Sequence, residues 1–153
     1  MSNPTHNGRP IVEQRQTKLG LYVTAKEAYD MWQEDPQGIK LLDVRTPEEW
    51  VFTGHAPMAT LIPFAFMAYV WDEEKQGFTW SLSPDFLDRV KERFSVEDTI
   101  LVTCRSGGRG AMAVNLMASV GYTKAYNILD GMEGSRVDDA DSVFNGMRRK
   151  NGW

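Results

Sequence analysis

The chain has 153 residues, 42% of them hydrophobic and 25% charged, and carries a net charge of −4. That is one globular domain's worth, long enough to bury a real core, and its acidic balance speaks against a nucleic-acid or anionic-membrane partner. No apolar stretch approaches the length of a membrane span, and a single cysteine rules out an internal disulfide, which fits a reducing compartment. Cytoplasmic residence is the expectation; a leader removed beforehand would leave no trace.

Residues 1–19 are polar and broken by Asn-Pro, Asn-Gly and Arg-Pro, which predicts a flexible or surface-draped arm ahead of a domain over residues 20–153. Leu21 to Val23 suits a sheet edge. Thr24 and Glu27 form a capping box for a helix carrying Ala28, Met31 and Trp32 on one face. Ile39 to Val44 reads as a buried strand, and Thr46, Pro47 and Glu49 then open a short helix. Residues just past strand ends face the ligand crevice of an open α/β sheet, so Asp43 and Arg45 lie on the edge that can support a site there. The plainer reading is a structural ion pair, with Glu48 or Glu49 as partner of Arg45. His55, in a turn after Gly54, reads as structural.

Ala59 to Ile62 predicts another strand. Residues 64–80 hold six aromatics, Phe64, Phe66, Tyr69, Trp71, Phe78 and Trp80, and so must pack on something. A satellite core is the first expectation, and a lid or docking rim beside the site is the second. Phe86, Leu87, Val90 and Phe94 mark one face of a helix begun by Ser83-Pro84-Asp85. Ala125 to Leu129 reads as a strand, and Asp138 to Lys150 as a modest amphipathic helix with Val143, Phe144 and Met147 on its apolar side. Strands alternating with helices predict a single, doubly wound α/β domain with a mainly parallel sheet.

The chemistry sits between residues 99 and 121. Ile100 to Val102 reads as a buried strand and Ala111 to Val120 as a buried helix ended by Gly121. Between them come Cys104, Arg105, Ser106, Gly107, Gly108, Arg109 and Gly110. Unpaired N–H groups at a helix start carry partial positive charge, and glycines let a loop curl them inward into an anion-binding nest. A sulfur centred there is stabilised as thiolate. Two arginines add permanent cations with donor forks that suit oxyanions. Lone cysteines are more often plain core residues, but this setting points to a nucleophile that a donor can reach.

Cys104-Arg105-Ser106-Gly107-Gly108-Arg109, set between a hydrophobic strand and an alanine-rich helix, resembles the active-site loop of rhodanese-like sulfurtransferase domains. Leu41-Leu42-Asp43-Val44-Arg45-Thr46-Pro47-Glu48-Glu49-Trp50, then Gly54-His55-Ala56-Pro57 and Ile62-Pro63, resembles the family's N-terminal signature. Asn127-Ile128-Leu129-Asp130-Gly131-Met132 resembles the strand and loop after its catalytic helix, so the likeness runs from about Tyr22 to Gly134. It departs at Gly110, where many members have serine, and at Met132-Glu133-Gly134, which lacks a tryptophan often found nearby. The resemblance implies about five parallel strands with helices on both faces.

It also implies a reaction in two steps. Cys104 thiolate takes the sulfane sulfur of a small anionic, thiosulfate-like donor as a persulfide, and a thiophilic acceptor, a thiol or a sulfur-carrier protein, then removes it. Arg105, Ser106, Gly107, Gly108, Arg109 and Gly110 would bind donor and persulfide. With no second cysteine, the sulfur must leave to another molecule. No metal or cofactor is expected, since one cysteine and two distant histidines make no ligand cluster. A carrier or docking module without turnover is the alternative from another class. A cysteine-dependent phosphatase or arsenate reductase is the nearest enzymatic one, disfavoured because only four residues separate Cys104 from Arg109.

Overall fold

The computed structural model describes residues 3–153. In chain order the elements are β1 (Thr5–His6), β2 (Arg9–Pro10), β3 (Tyr22–Val23), α1 (Ala25–Glu34), β4 (Ile39–Asp43), α2 (Pro47–Phe52) and β5 (Thr60–Leu61). They continue with β6 (Ala65–Asp72), β7 (Gly77–Leu82), α3 (Phe86–Arg93), β8 (Thr99–Thr103), α4 (Gly108–Ala118) and β9 (Ala125–Ile128). The central sheet has five strands in the order β3-β9-β8-β4-β5, all parallel. Two of its three inner strands, β4 and β8, are the two apolar runs of the sequence, as burial on both faces requires.

Alternation along those strands separates two cores. Leu41 and Leu101, opposite each other in register, face one side with Ala25 and Ala28 of α1. Leu42, Ile100 and Val102 face the other, against Phe86 and Val90 of α3 and Val114 and Met117 of α4. Helices therefore cover both faces, and the α/β fold with five parallel strands is as predicted. Among the described residues no helix is long and apolar enough to cross a membrane.

Both capping boxes form. Thr24 Oγ1 accepts from Glu27 N at 3.2 Å, and Thr46 Oγ1 from Glu49 N at 3.2 Å. The segment preceding the domain is draped over it: β1 and β2 make a small hairpin, Ile11 is buried, and Lys18 N donates to Asn115 Oδ1 on α4 at 2.8 Å. Met1 and Ser2, at the start of that arm, lie outside the described residues.

Three expectations need correction. Residues 138–150 are not helical but a set of turns in which Val137 N donates to Met147 O and Gly146 N to Val137 O, both at 2.8 Å. Asp139, Ser142 and Asn145 side chains accept from local backbone N–H groups, and Gly146 sits at φ +81°, so turn chemistry overrides a weak apolar period. The aromatic segment is not a buried satellite core. Only Phe64 is enclosed, while β6 and β7 pair as an antiparallel hairpin whose Phe66, Tyr69, Trp71, Phe78 and Trp80 are 38–70% exposed.

The third concerns Arg45. Its partner is neither Glu48 nor Glu49 but Asp43: Nη2 donates to Oδ2 at 2.8 Å and Nε to Oδ1 at 3.0 Å, with both side chains 0% exposed. Two further donors reach Thr53 Oγ1 and Gly54 O, each at 2.8 Å. The pair thus ties the end of β4 to the C-terminal end of α2.

Removing one member leaves the other charged and buried, so Asp43→Ala should lower unfolding free energy by about 3–5 kcal/mol, whereas Asp43→Leu with Arg45→Met should lose less. Urea unfolding midpoints of the three proteins check this, and equal losses for the single and double replacements would contradict it.

Candidate active site

β8 ends at Thr103 and α4 begins at Gly108, so Cys104 to Gly107 make the crossing from sheet to helix. Cys104 Sγ accepts the N–H of Gly107 at 3.1 Å. That turn needs Gly107 at φ +101°, where a Cβ would also run into Leu129 O. Cys104 is only 1% exposed, deeper than its place at a strand end suggested.

The loop is held by its carbonyls. Met132 N donates to Cys104 O at 2.8 Å, and Glu133 N and Gly134 N donate to Arg105 O at 2.9 and 3.2 Å. Gly131 makes this approach possible, because a side chain there would collide with Cys104 O and Arg105 O. From the other side, Asn127 Nδ2 donates to Gly107 O and to Arg15 O, both at 3.0 Å. Asn127 was read only as a strand residue. A polar side chain in the middle of an otherwise apolar strand was the available signal, since such a group, when buried, needs a partner.

Gly110 packs inside the first turn of α4, where a Cβ would stand 2.5 Å from Asn127 Oδ1. Glycine at this position is therefore matched to the asparagine beneath it. Oδ1 has no hydrogen-bond partner among the described residues, which fits its facing a bare Cα. Ser106 and Gly108 are half-buried on the loop.

The two arginines differ. Arg105 is exposed and forms no ion pair among the described residues. Arg109 makes a forked pair with Glu49 on α2, Nη1 to Oε1 at 2.6 Å and Nη2 to Oε2 at 2.8 Å, and its guanidinium lies 5.1 Å from the Trp80 ring centre. Burial works against both charges, yet the partner's hydrogen bonds and charge, joined at Glu49 by hydrogen bonds from Thr46, outweigh it. Glu49 is held below its ordinary 4.5 and Arg109 is pushed further up. Cys104 and Asp43 add to the field that keeps Arg109 protonated. Asp43 and Arg45, proposed from the sequence as support for the site, act through α2 by placing the helix that carries Glu49.

Beside the loop runs an open groove of about 730 Å³. Met67, Trp80 and Leu82 of the hairpin wall one side, Met112 of α4 the other, and Arg105 and Arg109 stand at its polar end. The aromatic at this rim comes from the hairpin, not from the 132–134 turn.

A parallel sheet that delivers one cysteine to a helix-opening turn, its sulfur on a peptide N–H, defines an α/β domain with a single thiol at the end of a central strand. The chain matches the rhodanese-like domain family over residues 24–136 and belongs to that family. An uncharacterised protein of Rickettsia rickettsii is 34% identical over 119 residues, covering 76% of this chain and 86% of that one. Thiosulfate sulfurtransferase 16, chloroplastic, of Arabidopsis thaliana is 36% identical over 94 residues, covering 61% of this chain and 71% of its own. Among solved structures, Rv0390 from M. tuberculosis superposes with a TM-score of 0.64 at 28% identity, over 86% of this chain and 89% of that one. Family and relatives together support sulfur transfer as the general chemistry.

A depressed carboxylate stabilises the fold above its unfolded value and loses that contribution as pH falls through its folded value. Glu49→Gln should therefore be less stable than the parent by about 1–2 kcal/mol at neutral pH. The gap should close as pH drops below 4.5, the ordinary value for Glu49. Denaturant titrations at a series of pH values read it directly, and a gap that persists or widens in acid would assign the loss to something other than the ion pair.

Proposed function

We propose that the protein is a sulfurtransferase that moves one sulfane sulfur from a small, thiosulfate-like donor to a thiophilic acceptor through a persulfide on Cys104. The observation that carries this is the contact between Cys104 Sγ and the Gly107 N–H, made in a loop whose Cys104, Arg105 and Gly107 carbonyls are engaged elsewhere.

In the first step the Cys104 thiolate attacks the donor's outer sulfur. The donor's S–S bond breaks, sulfite leaves with the electron pair, and a Cys104 persulfide remains. Negative charge on the terminal sulfur grows where peptide N–H groups and the start of α4 favour it. Arg105, exposed and without an anionic partner, receives the oxyanion end of the donor. Arg109, with two donors committed to Glu49, adds field and shape. In the second step the acceptor attacks the outer sulfur and returns the thiolate. The depth of Cys104 favours this chemistry over phosphoryl transfer, because a single exposed sulfur atom on a slim donor is easier to bring to it than a tetrahedral phosphorus.

Incubation with thiosulfate should add one sulfur to the intact mass, cyanide should remove it with thiocyanate as product, and Cys104→Ser should show neither. Loading without repeated turnover would instead make the domain a carrier. Arg105→Ala should raise KM for thiosulfate about tenfold with kcat little changed, the mark of lost ground-state binding. An unchanged KM would show that the backbone binds the donor alone.

A further inference from the structure

The hairpin has two unlike faces. Ala65 pairs with Leu82 and Met67 with Trp80, which puts these four on one side, while Phe66 and Ser81 pair on the other. The first side lines the groove. The hairpin is also irregular beside that groove. Its register breaks between Met67 and Trp71, and Tyr69 within the break sits at φ +57°, a backbone region that bulky side chains rarely adopt. The strained residue is held by a bond from its hydroxyl to Glu48 Oε1 on α2, at 2.8 Å. Trp80 over Arg109 makes a second attachment. Two ties and a bulge hold apolar side chains open to solvent beside the thiol loop, where free folding would cover them.

The polar end carries one uncommitted cation rather than a cluster. Glu49 pairs with Arg109 and Glu48 is engaged by Tyr69, which leaves Arg105 as the groove's one arginine without an ion pair among the described residues. A small dianion needs none of the apolar wall. The volume, about 730 Å³, falls in the range of small-molecule sites, and the lining suits an uncharged organic body.

We infer that the hairpin groove is an acceptor-specificity pocket, selecting thiols with an apolar body over small hydrophilic ones. This rests on the sulfur-transfer reading and names the acceptor class for the same site. The acceptor, having given its thiol proton to solvent, attacks the outer sulfur of the Cys104 persulfide through its thiolate. One S–S bond forms between acceptor and transferred sulfur as the bond from that sulfur to Sγ breaks, and Sγ keeps the electron pair. The product is an organic persulfide, and no outside oxidant or reductant takes part.

The test compares two primary aliphatic thiols, 2-phenylethanethiol and 2-mercaptoethanol, with cyanide as a third acceptor, on full-length protein loaded with thiosulfate. The ratio of kcat/KM for the phenyl thiol over the hydroxyl thiol should be at least about tenfold, as partial burial of an aromatic ring warrants. Met67→Gln combined with Leu82→Gln should cut that ratio to near one, and Phe66→Gln, on the far side of the hairpin, should keep it. A wild-type ratio near one, or a ratio that survives the double replacement, overturns the pocket. Because each ratio is taken within one protein, partial misfolding does not imitate the result. Discharge by cyanide with no preference between thiols sinks the pocket alone; failure of thiosulfate to load Cys104 sinks the sulfur-transfer reading and the pocket together.

Discussion

A planar trans peptide points its C=O and the following N–H in opposite directions, so whatever fixes the carbonyl aims the amide. The Cys104 loop depends on this constraint. Cys104 O and Arg105 O are taken by the 132–134 turn, and Gly107 O by Asn127 and the N–H of Ala111. The amides of Arg105, Ser106 and Gly108 are thereby turned away from those partners. The cradle is made from behind. Gly131 and Gly107, at φ +60° and +101°, provide the close approach on one side and the curl on the other.

A second chain of contacts sets the rim. The Asp43–Arg45 pair, fully buried, fastens the end of β4 to the end of α2. Thr46 caps that helix, and Glu49 serves twice, closing the capping box through Oε1 and holding Arg109 through both oxygens. Arg109 in turn supports Trp80. A charge pair with no exposure thus determines where an aromatic ring at the groove stands, through four side chains and one short helix. An isolated ion pair at the surface would be too weak to do this. Here the Asp43–Arg45 pair has lost its water, the Glu49–Arg109 pair most of it, and both are forked, so alternatives are costly.

The legible parts of the chain were those whose cause is local. Thr24 with Glu27, Thr46 with Pro47 and Glu49, and the apolar runs at 39–44 and 100–102 carry their signals within a few residues. The glycines around Cys104 showed that a turn wrapped the thiol, and the resemblance supplied its setting. Partners far apart in sequence were not legible. Glu49 was matched to Arg45, four residues away, because a sequence shows its neighbours; the actual partner is sixty residues on. Asn127 clamps a carbonyl twenty residues back, which no spacing within its strand reveals. The six aromatics of 64–80 signalled burial, yet the bulge at Tyr69 holds five of them at the surface. Residues 138–150 carried a helical period in three apolar side chains, but Asp139, Ser142 and Asn145 gave the backbone nearer partners.

Depth and breadth are divided between two regions of one site. Cys104 is 1% exposed, and in the proposed reaction a sulfur bonded to it would stand about 2 Å farther out than Sγ. That extra atom would be the one handed on, so loading would extend the reactive centre beyond Sγ without any movement of the fold. The deep position would also shield the sulfur between cycles, as the chain has no second cysteine to protect it as a disulfide. In the proposed scheme the broad, apolar groove adds nothing to the first transfer and bears on the second, because only the acceptor needs to bring a body as well as a sulfur. The scheme thereby places selection at the step where the product leaves, and leaves the donor step to the backbone and Arg105.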